Sequence, residues 1–254
     1  MNNTFDIQRF GLLLKRKWLE FGKIYLITLA VVFGVILAAY AIAFWPVFTG
    51  LEPFNERKIS FRVPLFIGLG FLFLTAVASS YFAHLGQKPK TIIDLLIPAS
   101  TFEKFLAGVF FTGILSTISY LLIFFLTDVV FVANLQDAAR DKVYFFSIVR
   151  HGLYAPVYIL PLFVTSIFLL GSVYFEKFHY IKTALSVMVF IGVWMAVVFK
   201  SGELLTRGRH AVENNPIVHS GDKSPLECML TLLLIVLTIV FWVITYLRLK
   251  EKEV

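Results

Sequence analysis

The long apolar runs of this chain hold no acid, base or histidine near their middles, and the whole sequence has a single cysteine. The lone Cys228 excludes an intramolecular disulfide and leaves a thiolate metal site without a second ligand. The histidines, at 84, 151, 179, 210 and 219, are too scattered for a metal set, and there is no His-Glu-x-x-His. No Gly-x-x-x-x-Gly-Lys-Ser/Thr run exists to cradle nucleotide phosphates. An ion-coupled carrier needs an ionisable group near the membrane midplane, so its absence argues against secondary transport. An intramembrane enzyme would need paired acids, or a nucleophile and base at one depth, and the runs supply neither. No repeat, low-complexity tract or soluble domain is visible, so residues 1–254 read as one domain.

What the chain does have is apolar length. Hydrophobic residues make up 59% of it and Phe alone numbers 28, more than one soluble core of this size can bury. The apolar runs fall at about 24–48, 63–83, 105–127, 153–175, 180–199 and 226–247, each near the roughly 20 residues a helix needs to cross the hydrocarbon core. Stretches such as Leu29 to Leu37 are apolar on every face rather than alternating, which excludes a β-barrel. The expectation is an all-α polytopic membrane protein: six transmembrane helices preceded by an N-terminal interfacial amphipathic helix.

The formal charge of +7 sits at run ends and in loops, which points to phospholipid headgroups and not to nucleic acid. Counting Lys and Arg over alternate loops from a cytoplasmic N-terminus gives thirteen inside and ten outside. The cluster Arg9, Lys15, Arg16, Lys17 and Lys23 before the first run, and Arg248, Lys250 and Lys252 after the last, place both termini in the cytoplasm. Within residues 1–23, Ile7, Phe10, Leu14, Trp18 and Phe21, continued by Tyr25, recur on one face, while Arg9, Arg16, Glu20 and Lys23 take the other. Phe10, Leu14 and Trp18 are expected at the acyl boundary, with Arg16 and Lys17 among the bases that meet anionic lipid. The plainer alternative is a basic anchor that only sets topology.

The segment 84–104 is unlike an ordinary loop. Thr91 to Ile97 can form two helical turns after Pro89, with Ile92, Ile93, Leu95, Leu96 and Ile97 apolar and Asp94 a polar notch, until Pro98 stops them. Ser100 followed by Glu103 is a capping box that starts the third helix. An exposed apolar element of this kind is a docking surface for a partner or rests on lipid.

Three stretches, Phe5-Asp-Ile-Gln-Arg-Phe10, Leu12-Leu-Leu-Lys-Arg-Lys-Trp-Leu-Glu20 and Leu95-Leu-Ile-Pro-Ala-Ser-Thr-Phe-Glu-Lys104, resemble the permease subunits of type-2 ATP-binding-cassette exporters, particularly small ones from Bacteroidetes-like bacteria. The local likeness lies in the first half of the chain; beyond residue 125 it is one of topology. The resemblance implies an elbow helix at 1–23 and a coupling helix in 84–104 that docks on a separate ATPase. ATP and Mg would be held by that ATPase and no cofactor by this chain. It further implies a homodimer or heterodimer of permeases in a bacterial cytoplasmic membrane, and no catalysis by the chain itself. Where many members carry apolar re-entrant helices, residues 200–225 here are polar, with Gly202, Gly208, Pro216 and Gly221. Hydroxyls inside the runs, among them Ser79, Ser116, Ser119 and Thr165, are expected either to join helices or to line a substrate path. A non-transporting scaffold or sensor is the alternative function, with the same cytoplasmic element binding another partner.

Overall fold

The computed structural model describes residues 5–51, 59–83, 97–139, 145–146, 156–175, 178–206 and 225–252. Among them it is all-helical: α1 (Ile7–Phe48), α2 (Arg62–Tyr81), α3 (Thr101–Val109), a π-helical segment (Phe110–Leu115), α4 (Ser116–Ala139), α5 (Pro156–Tyr174), α6 (His179–Thr206) and α7 (Pro225–Lys252). The π segment joins α3 to α4 without a break, so the chain forms six long helical rods. Five are long and apolar enough to cross a membrane; α5, at 19 residues, is shorter, with its apolar part at Tyr158–Tyr174.

The expected interfacial helix and the first span prove to be one helix of 42 residues. At 1.5 Å per residue it is about 63 Å long, so one end must project beyond a hydrocarbon core of roughly 30 Å. Asp6 caps it, its side chain accepting from the Gln8 amide at 2.8 Å. One stripe, through Lys17, Phe21, Tyr25, Val32, Ile36, Tyr40, Phe44 and Val47, is buried. Leu19, Ile27, Val31 and Ile42 on the remaining surface are exposed, which only lipid or a partner can accommodate.

Two groups of helices share the fold. In one, α1 runs along α4 and meets α2, and Tyr40, Phe44, Phe73 and Phe124 fill the space between them. In the other, α5 is the hub, packed on α7, α2 and α6. Without a hydrophobic drive in lipid, such packing depends on close approach. Gly171 of α5 supplies it: any Cβ there would overlap the Thr183 hydroxyl of α6. Residues 188–197 of α6 are exposed throughout, so this helix stands at the edge of the bundle.

The expected boundaries need three adjustments. The first seven residues of the expected outer loop 200–225 are helical as the end of α6, and the third rod extends to Ala139. Pro156 opens α5, where a first-turn position needs no amide, and Pro161 lies inside the helix. The π segment has its own signature: Ser116 Oγ donates to the Phe111 carbonyl, five residues back, at 2.7 Å.

Candidate functional site

The Ser100–Glu103 capping box is present in full. The Glu103 amide donates to Ser100 Oγ at 3.2 Å, and the Ser100 amide donates to Glu103 Oε2 at 2.9 Å. The other carboxylate oxygen is also taken: Oε1 accepts the Asp6 amide and an Arg9 guanidinium nitrogen, each at 3.0 Å. Glu103 is thereby wholly buried, an anion sustained by two backbone amides and a cation. It ties the beginning of α3 to the beginning of α1, a link with no local sequence signal.

Apolar contacts close the same joint. Leu13, Ile97 and Ala107 form a buried cluster, with Phe10, Leu14 and Ala99 packed against it. The face carrying Phe10 and Leu14 thus packs in part on the chain's own third rod and the residues before it. Trp18, 39% exposed, stacks on Phe111 with a centroid separation of 6.3 Å. Lys17 also departs from expectation: it lies on the buried stripe, its ammonium 3.4 Å from Glu20, instead of among headgroups. Arg16 remains partly exposed and pairs with Glu20 at 3.1 Å. Of the expected docking residues, Thr91, Ile92, Ile93, Asp94, Leu95 and Leu96 lie outside the described residues. Ile97 is buried in the joint, and Ser100 and Glu103 form its cap.

A second polar junction stands 25 residues further along the same rod, about 37 Å away. Asp128 Oδ1 accepts from Arg62 at 2.9 Å and from the Tyr40 hydroxyl at 2.8 Å, and Oδ2 accepts the Phe146 amide at 2.7 Å. Both ions are buried, the side chains 3% and 1% exposed. Tyr40 is ringed by Phe44, Phe61, Phe124 and Phe131. Asp128 comes just after the third apolar run and Arg62 just before the second, where a charge reads as a boundary residue facing water.

The hydroxyls between the junctions serve the helices. Ser116 donates to Phe111, Ser119 to the Leu115 carbonyl at 2.7 Å, and Thr165 to the Leu162 carbonyl at 3.0 Å. Ser119 also accepts from the Tyr25 hydroxyl at 2.7 Å, joining α4 to α1. Ser79, in contrast, lines a cleft of about 420 Å³ between α2 and the start of α6, with Ala76, Tyr180 and Ile181 among its walls. A smaller apolar cleft of about 100 Å³ lies between α2, α4 and α5, next to Tyr120 and Pro161. Among the described residues no group of His, Cys, Asp and Glu could hold a metal ion.

No protein-family model matches the chain, and neither a curated protein nor a solved structure does. The fold itself defines the class: an all-helical polytopic membrane protein, with two polar junctions joining its first and third rods.

Proposed function

We propose that this chain is the membrane-spanning permease subunit of an ATP-driven exporter and that a separate ATPase docks on residues 84–104. The observation that supports the reading most is the four-way engagement of Glu103. The residues immediately before Ser100 carry the apolar element of the docking segment, and a push on it must pass through Ile97 to Ser100. There the cap joins it rigidly to α3, and Asp6 and Arg9 join it to α1. One local displacement is thereby delivered to two long rods, the geometry a coupling element requires. The chain's own spans carry no phosphate cradle and no midplane charge, so the energy source is assigned to the partner. Two such permeases would face each other, each with its ATPase, in a bacterial cytoplasmic membrane with both termini inside.

The test is the double variant S100A/E103A, reconstituted in vesicles with its ATPase. ATP hydrolysis should persist while transport falls away. Transport that stays in step with hydrolysis removes the joint from the coupling route.

A further inference from the structure

Ser79 is 3% exposed and makes no hydrogen bond among the described residues, yet its Oγ is not sealed from the surface. Its neighbours on α2 behave otherwise. Thr75 donates to the Phe71 carbonyl at 2.8 Å and Ser80 to the Val77 carbonyl at 3.0 Å, the usual outlet for a hydroxyl on an apolar helix. A nearly buried hydroxyl with its hydrogen unspent costs free energy unless something outside the chain accepts it.

The opening in front of Ser79 is the cleft of about 420 Å³ between the end of α2 and the start of α6. Ala76, Ala83, Phe178, Tyr180 and Ile181 form most of its wall, and no acid, lysine or arginine lines it. His179 stands in the same wall, its Nδ1 buried and without a hydrogen-bond partner. That nitrogen lies beneath the surface, so Ser79 is the polar group that a ligand meets. The ligand that fits joins an uncharged acceptor oxygen to an apolar body.

Depth narrows the choice. The 20 residues of α2 span about 30 Å, the thickness of the hydrocarbon core, and Ser79 is about 3 Å from the end of that helix. The cleft therefore lies at the core boundary, where glycerolipids carry their ester carbonyls. Phe178 and Ile181 are exposed at this level, and exposed Leu72 on α2 and Leu185 and Met188 on α6 continue the apolar surface along both helices.

We infer that this cleft holds the ester group of a membrane glycerolipid, with Ser79 Oγ donating to the carbonyl and the acyl chain lying along α2 and α6. With no charged side chain in the lining, the headgroup is not read. The inference rests on the membrane setting and not on a transport role, so it stands or falls separately from the exporter reading.

Delipidated protein in an alkyl maltoside, a detergent without esters, tests it by thermal-shift titration with three short-chain lipids. These are diester phosphatidylcholine, its diether analogue of equal chain length, and diester phosphatidylglycerol. The diester should bind about tenfold more tightly than the diether, which lacks the carbonyls, and the two diesters should bind alike. Ser79→Ala should bring the diester down to the level of the diether, and Ala76→Leu, which fills the cleft, should weaken both. Equal binding of diester and diether to the wild type, or a diester preference that survives Ser79→Ala, would overturn the inference. So would tenfold tighter binding of phosphatidylglycerol than of phosphatidylcholine, which assigns recognition to the headgroup. The ester-to-ether ratio is read within each variant, so a change in fold stability does not imitate the result, and Ser79→Ala decides the matter if Ala76→Leu does not fold.

Discussion

Glu103 and Asp128 sit well apart on one helical rod, each buried, each accepting hydrogen bonds from an arginine and a backbone amide, and each binding α1 to that rod. They differ in access. The Arg9 side chain on Glu103 is 34% exposed, whereas Arg62 on Asp128 is 3% exposed. A guanidinium that water can reach is solvated when it loses its partner; a buried one is stranded. The Asp128 junction is therefore closed to water on both partners, whereas the Glu103 junction is closed at its acid and reached by water at its arginine.

Asp128→Ala should destabilise the protein by about 3–5 kcal/mol, since it strands the buried Arg62 charge; thermal denaturation in detergent reads this. R62M/D128L removes both charges and should be more stable than either single variant. Glu103→Ala comes next, at roughly 2–3 kcal/mol, because the freed Arg9 reaches solvent although two backbone amides lose their acceptor. Tyr40→Phe, which deletes one hydrogen bond to a charged acceptor, should cost about 1.5–2 kcal/mol. Arg9→Ala should cost about 1–2 kcal/mol, because it leaves the buried Glu103 its backbone donors but takes away its cation, and Ser100→Ala about 1 kcal/mol as a lost cap. Salt sharpens the contrast: raising ionic strength should shrink the effect of Arg9→Ala and leave that of Asp128→Ala unchanged. Equal salt sensitivity at the two junctions would remove the distinction between them.

Local signals in the sequence reach as far as one helix turn. Ser100-x-x-Glu103 is legible because cap and partner are neighbours, and the helical rods are legible because lipid demands unbroken apolar length. The partners of Glu103 are 94 and 97 residues away, and no pattern within a segment announces them. Arg62 and Asp128 each follow or precede an apolar run, where a charge ordinarily faces water, so their burial as a pair depends wholly on how α2 and α4 meet. The periodic face of Phe10 and Leu14 correctly marks a surface that needs cover, but amphipathicity does not name the cover. Here it is Ile97 and Ala107. Lys17 shows the opposite error: a charge in a basic cluster reads as exposed, yet helix phase places it on the inward stripe beside Phe21.

The most direct test of the account is isolation of the tagged protein from its native membrane in mild detergent, with co-purifying subunits identified by mass spectrometry. The account predicts a stoichiometric ATPase subunit, retained by Y40F at the Asp128 junction and lost when Ile93 and Leu96 are both replaced by Asp. Recovery of the intact protein without any ATPase would contradict it and assign the chain to a scaffold or sensor role.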